Sequence, residues 1–155
     1  MDVRALGLAF VATSCLAAQS VGPGLTWTGT SGPSTGSFFP SCQNLPVAAM
    51  PGDTVTLRVW GDPGSLFVVG VAASASQCLP IPGIGNALVL DLPASPVWSG
   101  ILTQLTPCLA CPPGYEALTL LLPPTLPTGT GASLQAVGFG NGLLTLSVAI
   151  TATVP

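Results

Sequence analysis

An Asn-Gly pair, Asn141-Gly142, stands between two runs of alternating apolar and small polar residues, "SLQAVGFG" and "LLTLSVAITATV". Both central residues of a type I′ turn take positive φ, which Asn and Gly tolerate best, so the pair predicts a tight β-hairpin. In the outgoing strand Leu144, Leu146, Val148, Ile150, Ala152 and Val154 share one face, and Thr145, Ser147, Thr151 and Thr153 share the other. That pattern predicts a strand with one face on a core and a Ser/Thr face in water.

The same grammar recurs upstream. "TVTLRVW" (54–60) alternates, with Val55, Leu57 and Val59 on one side. "SLFVVGVAA" (65–73) is a continuous apolar run that reads as a strand covered on both faces. "NALVLDL" aligns Leu88, Leu90 and Leu92, "EALTLLL" aligns Leu118, Leu120 and Leu122, and "WSGILTQL" (98–105) is a weaker strand. One further strand fits near residues 25–30. Glycine (19) and proline (17) make up close to a quarter of the 155 residues, so turns interrupt the chain often. No helical period of useful length occurs. The fold class is therefore all-β: an antiparallel β-sandwich, Ig-like or jelly-roll-like, of about seven to nine strands.

The first 18 residues read as an export signal, with Arg4 in the n-region, Ala5 to Val11 as a short apolar core and "CLAAQS" for cleavage near Ala18. A run this short does not span a bilayer of about 30 Å as a helix. Lipidation at Cys15 fits less well, because Ala12 stands where leucine is usual. Residues 19–44 form an N-terminal arm or a first strand with a Ser/Thr/Gly-rich loop, and 45–155 form the sandwich. The expected location is extracellular or at the cell surface. With two basic residues, five acidic ones, no histidine and a net charge of −3, the chain has no means of neutralising nucleic-acid phosphates.

Without Cys15, four cysteines remain: Cys42, Cys78, Cys108 and Cys111. In an oxidising compartment an even count predicts disulfides, here two. The preferred pairing joins Cys78 to Cys108 or Cys111 and Cys42 to the other; the alternative is Cys42–Cys78 with Cys108–Cys111. Redox catalysis at "CLAC" lacks a cation or helix terminus to lower a thiol pKa, and Pro112-Pro113 disfavour a helix there. A four-cysteine zinc site has one close pair but no second.

"PGDTVTLRVWGDPGSLFVVGV" and the closing "LQAVGFGNGLLTLSVAITATV" resemble the small exported β-sandwich module of secreted planctomycete-type bacterial proteins. Pro51-Gly52, Leu134-Gln135-Ala136 and Ser147 stand at its characteristic places, and the resemblance covers about residues 45–155. It implies export and a sandwich, and brings no established activity and no catalytic residues.

Reactions that need a histidine or lysine base are excluded by composition. Asp53, Asp62, Asp91 and Glu116 are the only acids beyond the leader. Asp53 and Asp62 flank one strand, about 30 Å apart at 3.3 Å per residue, too far for paired carboxylate catalysis. They read as turn formers in "PGDT" and "GDPG". Nothing recommends Asp91 with Glu116, and the spacing of a calcium loop is absent. Trp60, with Arg58 and Asp62, is the one candidate ligand surface, suited to stacking on a sugar ring; the alternative is that Trp60, at the end of its strand, caps the open end of the sandwich core. Trp27, Trp98, Phe67 and Phe139 are expected in the core. The reading is a non-enzymatic structural or interaction module that requires no cofactor and no metal. Its partners would be a surface protein, a polysaccharide or further copies of itself, with no nucleic acid and no membrane span. The alternatives are a carbohydrate-binding module using Trp60 and a self-assembling surface or filament subunit.

Overall fold

Val55, Leu57 and Val59 all point to one side of β4 (Thr54–Gly61), exposed by 1, 3 and 0%, as strict alternation predicts. The structure, a computed structural model, describes residues 22–106 and 111–155. Two Pro-Gly turns fix the ends of β4. Asp53 N–H donates to Met50 O (3.1 Å) and Ser65 N–H to Asp62 O (3.1 Å), with Gly52 and Gly64 both at φ +83°. Positive φ at the third residue, with proline second, defines a type II turn, which glycine adopts without steric cost. Both aspartates are therefore turn residues, as expected.

β4 organises a five-stranded antiparallel sheet. β1 (Gly24–Gly29) and β11 (Gly114–Leu121) flank it, β2 (Thr35–Ser37) extends the β1 side, and β10 (Gln104–Leu105) extends the β11 side. β1 is thus a first strand in mid-sheet rather than a loose arm, with Leu25 at 0% exposure. The facing sheet runs β3 (Asn44–Ala48), β13 (Leu143–Thr153), β12 (Gly131–Gly140), β5 (Leu66–Ala72), β9 (Ser95–Ile101). Between them Leu25, Trp27, Val55, Leu57, Val59, Phe67, Val69, Leu134, Ala136, Val148 and Ile150 form the core. β6 (Ala75–Pro80) pairs with β8 (Ala87–Leu90) as a small separate ribbon, and β7 (Ile84–Gly85) lies along β13. The architecture is an all-β sandwich dominated by antiparallel pairing. The described residues hold thirteen strands, more than the seven to nine expected, because β2, β7 and β10 are too short to show a period. Two pairings, β13 with β3 and with β7, are parallel.

The Asn141-Gly142 hairpin is present, with φ of 51° and 77° at the two residues. The parity of β13 is not as expected. Gln135 pairs with Ala149 and Val137 with Leu146, so Ser147 and Val148 together face Ala136. This one-residue bulge reverses the faces. Val148, Ile150 and Ala152 enter the core, whereas Leu144 is 41% exposed on the outer side. Ser147, expected in water, is fully buried: its hydroxyl accepts from Ala136 N–H (2.9 Å) and donates to Val148 O (2.6 Å). The serine thereby satisfies backbone groups that the bulge would leave unpaired. Thr151 is tied to Ser133 and Asn44. The Ser/Thr face is thus no open solvated row.

The run at β5 is covered on both faces only at its far end. Phe67 and Val69 are buried in the core, while Leu66 and Val68 are 52% and 36% exposed on the outside. Beyond them the β6–β8 ribbon lies over the sheet, burying Ala72, Val89, Leu90 and Ala149 as a second cluster. Leu92, expected beside Leu88 and Leu90, lies past the end of β8 and is exposed.

Cys42 and Cys78 are joined by a disulfide, with Cα atoms 5.8 Å apart, which corrects the preferred pairing. The reason is topological. Cys42 precedes β3 at the sheet edge, and Cys78 lies on the ribbon beside it, where Asn44 Nδ2 donates to Ala75 O (2.9 Å). Cys111 is also disulfide-bonded. Cys15, Cys108 and residues 1–18, where an export signal was expected, lie outside the described residues.

Candidate functional site

Trp60 closes β4 on the outer side of its sheet, as parity predicts, but it is buried, at 8% exposure. Phe38 meets its ring edge-on at 5.0 Å, and Tyr115, directly opposite on β11, packs at 5.1 Å. The indole N–H donates to Thr26 Oγ1 at 2.9 Å. These contacts cover the ring, so the expected exposed stacking platform is not formed. Trp60 is a packing residue whose one polar atom is satisfied. Half-buried Arg58 sits between Thr26 of β1 and Ala117 of β11. Trp27 and Phe67 are buried and Trp98 packs edge-on against Phe67 at 4.8 Å, in keeping with core roles. Phe139 is not a core residue: it is 45% exposed.

The sandwich opens at one end into a cleft of about 140 Å³ that includes Pro23, Trp60, Asp62, Ser65, Phe67 and Thr145 in its lining. It brings Trp60 and Asp62 together but not Arg58. Among the described residues Asp62 is the only titratable one lining it, and its carboxylate accepts from Asn141 Nδ2 (3.1 Å) across from the hairpin turn. The described residues place one carboxylate in this cleft, where paired acid–base chemistry uses two titratable groups.

The other three acids are likewise each engaged by neutral donors at separate places. Asp53 accepts from the Ser31 hydroxyl and, at 3.1 Å, the Ser31 N–H. Asp91 accepts from Ser74 Oγ and Ser76 Oγ, both at 2.6 Å. Glu116 accepts from Thr103 Oγ1 and from Gln104 Nε2 (3.1 Å). These bonds favour the charged form. The Ser31 hydroxyl holds Asp53 below its ordinary pKa, Ser74 and then Ser76 hold Asp91 below its own, and Thr103 does the same for Glu116, each against a smaller opposing push from burial. The acids work as fasteners between loops and strands.

The sign of the pH dependence follows. Folded pKa values below the unfolded ones mean that the unfolded chain binds more protons in acid. The contribution is complete above the ordinary carboxylate range and is lost as pH falls through the lowered folded values. With no histidine, no side chain has an ordinary pKa between 5 and 8. Thermal midpoints should therefore be level from about pH 8 to about pH 5 and fall below about pH 4.5. A drop between pH 7 and pH 5 would contradict this assignment.

Sequence reasoning assigned no function to Gln135, which is 2% exposed on the side of its sheet away from the core. Its Oε1 accepts from Val89 N–H (3.0 Å), and its Nε2 donates to Ala87 O (3.0 Å) and Ser147 O (2.8 Å). One amide thus bonds β8 onto the sheet as a strand partner would. The available signal was a lone amide between Leu134 and Ala136 in an otherwise apolar strand.

Among the described residues no group of three or more metal-ligating side chains converges, and no helix is long and apolar enough to cross a membrane. In comparison with known proteins, no family model and no curated protein matches the chain.

Proposed function

We propose that this chain is an exported, non-enzymatic structural or interaction module working outside the cell or at its surface. The observation that carries the reading is the dispersal of its acids: Asp53, Asp62, Asp91 and Glu116 are each engaged by neutral donors, and only Asp62 lines the cleft. The Cys42–Cys78 bridge supports an oxidising compartment. Stability comes from sheet pairing, sulfur bridges and side-chain fasteners, and the loops that shape the open end are held by hydrogen bonds that a reacting group would have to give up.

Two measurements test this. Intact mass of the protein recovered from the medium or cell envelope should lack residues 1–18 and should rise on reduction by two hydrogens per bridge. A panel of ester, peptide and glycoside substrates should show no turnover above that of the unfolded protein. Retention of the leader would overturn export, and turnover abolished by Asp62→Asn would overturn the non-enzymatic reading.

A further inference from the structure

On the outer face of the β13-containing sheet, direct strand partners align into a ladder across five strands. Ile101 of β9 pairs with Leu66 of β5, Leu66 with Phe139 of β12, Phe139 with Leu144 of β13, and Leu144 with Ile84 of β7. Four of the five are strongly exposed: Ile101 48%, Leu66 52%, Phe139 45% and Leu144 41%. Val68, paired with Val137, continues the apolar surface one step along the strands, toward the part of this face that the β6–β8 ribbon covers. The face therefore has a roofed half and an open half.

We propose that the open half is the contact surface between two copies of this chain. The inference rests on the module reading above and names its partner. The ladder reads Ile-Leu-Phe-Leu-Ile, the same from either end. A two-fold axis between facing sheets runs either along the strands or along the ladder. In the first case Leu66 meets Leu144 and Ile101 meets Ile84 of the second copy. In the second, each residue meets its own counterpart. In both, Phe139 faces Phe139 and aliphatic faces aliphatic, which is the self-complementarity an isologous interface needs. None of the ladder residues is charged; one carboxylate, Asp62, lines the cleft that also holds Leu66 and Phe139, where it accepts from Asn141 Nδ2. Arg58, the only basic residue among those described, lies in the opposite sheet, so nothing beside the ladder draws it to an anionic lipid surface. The open half exposes on the order of 500 Å², near the top of what a monomer carries as one patch. Two copies would bury about 1,000 Å², enough for a specific but transient dimer.

Sedimentation of the mature protein from about 5 to 500 μM should show the average mass climbing toward that of a dimer. Leu66→Glu and Leu144→Glu place charges on the ladder at exposed positions and should each weaken association at least tenfold. Leu120→Glu, on the other sheet, should leave it unchanged. Phe139→Cys should give an oxidatively cross-linked dimer in high yield and Leu120→Cys should not, a readout that does not depend on how the glutamate variants fold. A monomer at every concentration, a dimer indifferent to both glutamate variants, or equal cross-linking at residues 139 and 120 would overturn the proposal. Enzymatic turnover would sink the module reading without altering these results, so the two failures are separable.

Discussion

Gln135→Leu should destabilise the fold by about 3–4 kcal/mol, because each buried polar group left unpaired costs about 1–3 kcal/mol. Leucine fills the same space but leaves Val89 N–H and Ala87 O without the partners they have now. Ser147 O keeps a weaker donor in Asn86 Nδ2 at 3.3 Å, which limits the loss there. The denaturant midpoint measures the total, and amide exchange locates it: the Val89 amide should lose protection ahead of those in β4. Gln135→Glu gives a second signature. It keeps the acceptor but turns a charged oxygen toward the carbonyls of Ala87 and Ser147, so its pKa rises and the variant should regain stability as pH falls through that raised value. That is opposite in sign to the acid dependence expected from Asp53, Asp91 and Glu116. A cost below about 1 kcal/mol for the leucine variant would show that the ribbon is held by apolar contact alone.

Cys42→Ala/Cys78→Ala should cost about 3–4 kcal/mol, from the chain entropy released when a loop of 36 residues is no longer closed. For a domain of this size that corresponds to a fall of roughly 10 °C in thermal midpoint. The effect acts mainly through the unfolded ensemble, so the exchange pattern of the native sheet should persist while global stability drops. The two perturbations meet on one element: Cys78 is on β6, and β8, its partner strand, carries the bonds to Gln135. Residues that share a structural unit couple, so the combined variant should lose less than the sum of the separate losses. Full additivity would mean that bridge and amide hold the ribbon independently.

Much of the sandwich was legible because period-2 alternation and turn chemistry are local. The Val55-Leu57-Val59 row, the Pro-Gly turns around β4 and the Asn141-Gly142 hairpin follow from residues within a few positions of one another. What was not legible depends on residues far apart. The parity of β13 turns over at Ser147 because of a bulge opposite Ala136, and the strand alone carries no mark of it. Trp60 looked exposed because the rings that cover it come from Phe38 and Tyr115, distant in sequence. β3 and β6 were missed because Pro46 and the polar "SQC" mask their periodicity, and with them went the proximity of Cys42 to Cys78. For the site, sequence reasoning placed Trp60 and Asp62 near one end of one strand, but the cleft they share is built from both sheets. The role of Gln135 depends on β8 arriving over its face.

The parallel seam between β3 and β13 bears on how quickly the native state is reached. Thr151 donates to Asn44 across 107 residues of chain, and the backbones pair from Asn44 to Ala48. Such a contact closes a very large loop before any local gain offsets it, and topologies rich in distant pairings are the slow folders, in milliseconds to seconds. A polypeptide emerging end-first from a ribosome or a secretion pore cannot complete this seam until residues 143–153 are free. Until then β3 lacks its neighbour, and that edge of the second sheet stays open.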